Sequence, residues 1–127
     1  MNAFSRPLLA LIGLSGFAAV AAGAFGAHGA ADPAAKALLE TGGHYQLTHA
    51  AAAFAAWVAV RQGFARAGAS AWLFLAGALI FSGSLYALAW GGPRILGAVT
   101  PIGGLLLLAG WANLALAALA KAQNDAS

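Results

Sequence analysis

The chain has 127 residues, of which 62% are hydrophobic and 7% are charged, and it contains no cysteine. About a quarter of the residues in a soluble domain are charged, so this composition excludes a soluble globular protein and indicates an integral membrane protein. The net charge is +3, but the basic residues are scattered at the ends of apolar stretches, which favours membrane orientation over nucleic-acid binding. Without cysteine, disulfides, thiolate catalysis and cysteine-ligated metal sites are excluded.

The first apolar segment, residues 8–26, predicts a membrane-spanning helix. It holds no charged residue, and about twenty helical residues reach across the roughly 30 Å of bilayer hydrocarbon. A short basic head, Met1 to Arg6, precedes it, so a cleaved signal peptide is the alternative interpretation. The apolar run is longer than a signal-peptide core and more apolar segments follow, so we expect it to remain as the first span.

Residues 33–41 predict a short interfacial helix. Asp32 is a suitable N-cap and Pro33 suits the first helical position, while Gly42-Gly43 is expected to stop the helix. The second span is then predicted over residues 44–60. It is the most polar of the spans because Gln46, Thr48 and His49 lie near its start.

The third and fourth spans are predicted over residues 70–90 and 101–120, with a turn at Gly91-Gly92-Pro93-Arg94 between them. Thr100-Pro101 has two interpretations. It is either the cap and first position of a helix, or a kink within a helix that starts near Ile95. Residues 101–120 alone are long enough to cross.

The fold class that follows is all-α: a single polytopic domain, residues 1–127, forming a four-helix transmembrane bundle. Arg6, Arg61, Arg66 and Lys121 lie on one side of it, and Lys36 and Arg94 on the other. Because positive residues accumulate on the cytoplasmic side, both termini are predicted to be cytoplasmic. We expect a multi-pass protein of the inner (plasma) membrane, surrounded by membrane lipids.

Small residues recur at helical spacing and predict close helix packing. Ser15, Ala19, Gly23 and Ala27 form such a stripe in the first span, and the fourth span carries Gly103, Gly110 and Ala117. In lipid, small residues let helix backbones approach each other. Gly23, Gly103 and Gly110 are therefore the predicted packing glycines, and Trp111, in the middle of the fourth span, is expected to pack between helices.

His49 is the polar residue that most needs an explanation, because an ionisable group inside a span is costly and usually faces a partner. Tyr45 lies one turn before it on the same face. His28 lies on the same side of the membrane and could approach it. The histidines could bind a metal, but a hydrogen-bonded network that ties the helices together is the favoured interpretation. Asn113 should likewise find an interhelical partner.

Catalysis and transport find little support in the pattern. Ser82 or Ser84 could pair with His49, but no acidic residue lies within a span to orient the histidine, and no G-x-S-x-G motif occurs. The glycines at 23, 26 and 29 end a membrane helix and do not form a phosphate loop. Ion coupling through a buried charge would rest on His49 alone. No catalytic residue, cofactor or metal site is therefore predicted.

Four local motifs, in order along the chain, resemble the YgdD/YwdK-type family of small membrane proteins, which is grouped under a domain of unknown function. They are Gly23-Ala24-Phe25-Gly26-Ala27-His28-Gly29; Thr41-Gly42 with Tyr45 and His49-Ala50; Phe81-Ser82-Gly83-Ser84-Leu85-Tyr86; and Thr100-Pro101-Ile102-Gly103-Gly104 with Gly110-Trp111. The resemblance implies four spans and an uncleaved first span, but no activity. The motif residues that it singles out as a candidate polar cluster are His28, Tyr45, His49, Ser82, Ser84, Tyr86 and Thr100, while Gln46 and His44 fit the pattern less clearly.

The leading functional hypothesis is a non-enzymatic membrane protein that acts through helix contacts, as a homo-oligomer or as an accessory subunit of a larger membrane complex. Its short loops leave no soluble domain for chemistry, and its small-residue stripes suit helix–helix contact. The alternatives are a protein that binds a small ligand or metal with a histidine cluster on the non-cytoplasmic side, and a small transporter.

Overall fold

The structure is a computed structural model that describes residues 5–127, and these residues form four helices, as the all-α prediction required. The helices are α1 (Ser5–His28), α2 (Pro33–Arg61), α3 (Ala67–Ala89) and α4 (Leu96–Ala126). Of these helices, α1, α3 and α4 are long and apolar enough to cross a membrane. The first part of the basic head, before Ser5, lies outside the described residues.

The second helix is continuous from Pro33 to Arg61, so the prediction of a separate interfacial helix over residues 33–41 is wrong. Its start agrees with the sequence, since the Asp32 carboxylate accepts a hydrogen bond of 2.8 Å from the backbone N–H of Ala35. The expected stop at Gly42-Gly43 does not occur, because both glycines are buried at contacts with neighbouring helices. The weak helix propensity of glycine, about 1 kcal/mol per residue, is overridden there by tertiary packing.

The fourth helix begins at Leu96 and contains Pro101, so a helix that starts at Pro101 is wrong and the alternative start near Ile95 is the one adopted. Proline removes one backbone donor and leaves the carbonyl four residues earlier without its helical partner. The helix tolerates the loss of this one backbone hydrogen bond, because the proline lies in its second turn. Beside the proline, the Thr100 hydroxyl donates a hydrogen bond to the Leu96 carbonyl at 3.2 Å.

The helices pack as an open row in chain order. Antiparallel neighbours form the interfaces α1–α2, α2–α3 and α3–α4, while α1 touches α3 only lightly, and α1 and α4 form no comparable interface in the described chain. The register of the first pair is set by Gly26 beside Leu39 and Gly16 beside Ala50. The inner helices α2 and α3 are thus covered on two sides, whereas α1 and α4 are the edges.

Glycine allows the close approach of α3 and α4. A Cβ atom on Gly103 would collide with the backbone of Phe81 and lie 2.8 Å from the Gly77 carbonyl oxygen. A Cβ atom on Gly110 would lie 2.6 Å from a ring carbon of Phe74, a side chain with no exposed surface. These contacts fix the distance between the two helices and therefore the position of every polar group that joins them.

Candidate functional site

His49 is held between a hydrogen-bond acceptor and a hydrogen-bond donor. Its Nδ1 lies 2.7 Å from the Tyr45 carbonyl oxygen, and the Trp111 indole N–H donates to its Nε2 at 3.0 Å. A carbonyl only accepts and an indole N–H only donates, so the two bonds select the neutral tautomer that carries its proton on Nδ1. Both ring nitrogens are engaged, and neither offers a free lone pair to a metal ion.

His49 lies deeper in the bundle than the sequence suggested. Since α2 begins at Pro33, the histidine is about 24 Å along the helix from its start. Ala50 beside it packs against Gly16, which is near the middle of α1 (Ser5–His28). His49 is only 6% exposed, so the imidazole is buried at mid-height of the row.

Aromatic rings from three helices surround the imidazole. Tyr45 lies nearly parallel to it with centroids 6.2 Å apart, and Phe74 and Trp111, with centroids 4.8 Å apart, pack against its other sides. Tyr45 also contacts Phe81 at 4.6 Å. The prediction that Trp111 packs between helices is confirmed, but the sequence did not indicate that its partner is His49.

A second polar network joins α1, α2 and α3 through Gln46. Its amide nitrogen donates to the Ser15 hydroxyl at 3.2 Å, and its amide oxygen accepts from the Tyr86 hydroxyl at 2.8 Å. Nearby, the Ser82 hydroxyl donates to the carbonyl oxygen of Gly42 at 2.7 Å. Gln46, given low weight by the family motifs, is therefore the centre of this network. The sequence feature that could have indicated this role is the position of Gln46 one turn before Ala50, which puts both residues on the same face of the helix. In the structure that face is buried.

Further polar contacts join α4 to α3 and to the residue just before α3. The hydroxyls of Ser84 and Thr100 lie 2.5 Å apart, on the side of the bundle where α4 begins. Towards the other side, Ser70 donates to the Gly110 carbonyl at 2.9 Å. Asn113 donates to the Arg66 carbonyl at 2.9 Å and to the Ser70 hydroxyl at 2.8 Å, which confirms the expected interhelical partner.

The structure does not bring His28 and His49 together. His28 is exposed at the end of α1, and Gly16, which marks the level of His49, lies about 18 Å away along the helix axis. His44 is also exposed. Within residues 5–127 no group of three or more histidine, aspartate or glutamate side chains is close enough to hold a metal ion.

His49, Ser82, Tyr86 and the Ser84–Thr100 pair of the candidate cluster therefore take part in separate interhelical contacts, whereas His28 lies apart at the end of α1. Ser82 donates to the carbonyl of Gly42, and the Ser84 hydroxyl lies within hydrogen-bonding distance of the Phe81 carbonyl in its own helix and of the Thr100 hydroxyl in α4. In the described chain neither serine is hydrogen-bonded to His49, so no serine–histidine pair is assembled for nucleophilic attack. Gly103 and Gly110 lie at close helix contacts. The backbone of Gly23 also lies close to α2, since a Cβ atom on Gly43 would come within 3.2 Å of the Gly23 nitrogen, although a Cβ atom on Gly23 itself would meet nothing within 4 Å.

Comparison with known proteins gives a family without a described activity. A family model described as "Protein of unknown function (DUF423)" matches residues 22–104. The chain is 50% identical over 85 residues to a UPF0382 membrane protein of Haemophilus influenzae, an alignment that covers 64% of this chain and 67% of that protein.

Two further relatives are similar over comparable lengths. Identity to the UPF0382 membrane protein YwdK of Bacillus subtilis is 38% over 81 residues, covering 62% of this chain and 66% of that protein. Identity to the UPF0382 inner membrane protein YgdD of Escherichia coli is 39% over 87 residues, covering 64% and 63%. The alignments thus span about two thirds of these relatives. No solved structure matches the chain.

Proposed function

We propose, from the premise that this chain belongs to the DUF423 family of membrane proteins, that it acts through contacts of its helices in the membrane and catalyses no reaction. The resemblance that its motifs predicted is thereby confirmed. In this proposal the protein is a homo-oligomer or an accessory and assembly subunit of a larger inner-membrane complex.

The proposed topology has four spans, with α2 crossing the membrane beside the three more apolar helices. Thr41 to Val60 is twenty residues without a charge, long enough for the hydrocarbon layer. Two of the polar side chains that lower its hydropathy, Gln46 and His49, are buried and paired inside the row. A polar group that is satisfied by neighbouring helices does not oppose insertion as an exposed one does. With four spans, the positive residues favour cytoplasmic termini.

The observation that carries the proposal is that the buried polar side chains are used to join helices. Gln46, His49, Ser70 and Ser82 each bond to another helix, and in the described chain the buried polar side-chain atom without a partner is Nε1 of Trp57. Interhelical hydrogen bonds of this kind are worth roughly 0.6 to 1.7 kcal/mol each in a membrane. What remains for interaction with other molecules is the outer surface of the row.

The two alternatives depend on His49, and its geometry supports neither. A metal would have to displace the Trp111 N–H from Nε2, and among the described residues no group of three or more histidine, aspartate or glutamate side chains is placed to hold a metal ion. Proton-coupled transport would require Nε2 to gain a proton and break the same bond. Both changes would disrupt the contact between α2 and α4.

Native mass spectrometry of the full chain in mild detergent, with elemental analysis of the same sample, tests the proposal. We expect a defined assembly with a second copy or another membrane protein, and no stoichiometric metal. Purified chain that is monomeric under all mild conditions would contradict it.

Two histidine variants separate the proposal from its alternatives. His49→Ala should lower the stability of the assembly without releasing a metal or small molecule, while His44→Ala, at an exposed position in the same helix, should behave as the wild type. Stoichiometric metal in the wild type that is lost only in His49→Ala would replace the proposal by the metal-binding alternative.

A further inference from the structure

The Tyr45 side chain has a hydroxyl group with no hydrogen-bond partner among residues 5–127. Its ring is packed against Phe81 and its backbone carbonyl is bonded to His49, yet the residue remains 42% exposed. In water such a hydroxyl would be hydrated. In a membrane the surrounding hydrocarbon offers no partner, and an unpaired hydroxyl is costly.

The same tyrosine lines an open groove between α2 and α4, of about 590 Å³. Its α4 wall runs from Pro101 past Leu105 and Leu108 to Trp111, which is about 15 Å of helix. The wall is apolar and parallel to the helix axes, so it suits a segment of an acyl chain. The volume lies in the range of about 300 to 1,000 Å³ that is typical of small-molecule sites.

An exposed cation lies in the turn just before α4, beyond the Pro101 end of the groove. Arg94 is exposed just before α4, and the ion pairs of the described chain are Lys36–Glu40 and Lys121–Asp125. Gly103 packs on Phe81, whose ring contacts Tyr45, so Tyr45 lies near the level of Gly103. The first residue of α4, Leu96, is roughly 10 Å further along the axis, and Arg94 comes two residues before it. Side chains in a helix tilt towards its N-terminus, so Tyr45 leans towards the end at which Arg94 lies.

These three features have the order of the parts of a phospholipid. Its acyl chain, its ester carbonyl and its phosphate follow one another along the membrane normal, as the groove, the Tyr45 hydroxyl and Arg94 do. The carbonyl oxygen accepts from a hydroxyl, and the phosphate pairs with a guanidinium. We propose that the groove between α2 and α4 is a binding site for one anionic diacyl phospholipid, with Tyr45 bound to its ester carbonyl and Arg94 bound to its phosphate.

Lipid retention in native mass spectrometry tests this site. The full chain is placed in nanodiscs of equal phosphatidylcholine and phosphatidylglycerol, released in the mass spectrometer, and the lipids that stay bound are counted. We expect one retained phosphatidylglycerol per chain. Tyr45→Phe keeps the ring contacts and removes only the hydroxyl, so retention should fall roughly two- to tenfold. Arg94→Gln should abolish the preference for phosphatidylglycerol over phosphatidylcholine.

Arg66→Gln is the matched control, because it removes an exposed cation at the opposite end of the row and should retain lipid as the wild type does. Equal helical content and melting temperature of all four proteins establishes that the variants are folded. Unchanged retention in both Tyr45→Phe and Arg94→Gln would overturn the proposal, as would a wild type that retains no lipid. A lipid-free dimer would assign the groove to a second copy and overturn it too. The site depends on the chain lying in a membrane and is independent of an accessory role.

Discussion

The two hydrogen bonds of the His49 ring select one neutral tautomer, which the position of the residue in the sequence does not indicate. The spacing of Tyr45 and His49 predicted that the two side chains share a helix face, and the rings are indeed nearly parallel. The hydrogen bond itself goes to the Tyr45 backbone carbonyl. The Trp111 partner depends on how α2 and α4 are rotated about their axes, and no periodicity within one helix contains that information.

His49 and Trp111 should be energetically coupled. His49→Phe leaves the indole N–H unpaired, and Trp111→Phe removes the donor to Nε2, so each single variant is expected to lower the free energy of unfolding. In the double variant neither group of this hydrogen bond is left unpaired. The interaction energy between the two substitutions should therefore be roughly 0.6 to 1.7 kcal/mol. Unfolding titrations in detergent micelles measure the free energy of unfolding of the wild type, the two single variants and the double variant, which together form a double-mutant cycle. Strictly additive losses would contradict the hydrogen bond.

At the level of the helices, glycine caused the main error of the sequence prediction. Gly42-Gly43 has the composition of a helix stop, but a Cβ atom on Gly43 would lie 3.0 Å from the Ala19 carbonyl oxygen, and one on Gly42 would lie 2.5 Å from the Tyr86 ring. These residues are glycine because other helices approach them. The sequence of one segment does not distinguish a glycine that ends a helix from a glycine that allows another helix to approach.

The packing glycines should differ in their tolerance of a methyl group. Gly103→Ala forces α3 and α4 apart, and overpacking of this kind costs about 1 to 3 kcal/mol. Gly23→Ala has open space and should be neutral or stabilising by up to about 1 kcal/mol, since alanine is the better helix former. Midpoints of thermal unfolding in the same detergent compare the two variants. Equal destabilisation would contradict the open space beside the α-carbon of Gly23.

For the whole molecule, the sequence predicted the all-α class and the membrane location, because both follow from long apolar stretches. The number of crossings is harder to predict, since α2 pairs its polar residues only after its neighbours are in place. Gln46 lowers the hydropathy of the segment although its amide is bonded to Ser15 and Tyr86. Hydropathy counts a side chain as if it were alone and therefore does not register that such a polar group is paired with neighbouring helices.

A topology experiment decides whether α2 crosses. The chain has no cysteine, so single cysteines can be introduced without background at Ala31, before α2, and at Ala65, after it; both positions are exposed. With four spans we expect an impermeant maleimide to label Ala31→Cys in intact cells and Ala65→Cys only after permeabilisation. Labelling of both cysteines from the same side would mean that α2 does not cross.

The open row also bears on how the protein is made. Because each helix packs mainly on the one before it, a helix leaving the ribosome finds its main partner already synthesised. Contacts between elements that are adjacent in the chain have low contact order and form quickly, and synthesis proceeds from the N-terminus at about 5 to 20 residues per second. The bundle can therefore assemble hairpin by hairpin during translation, without waiting for a distant segment to close it.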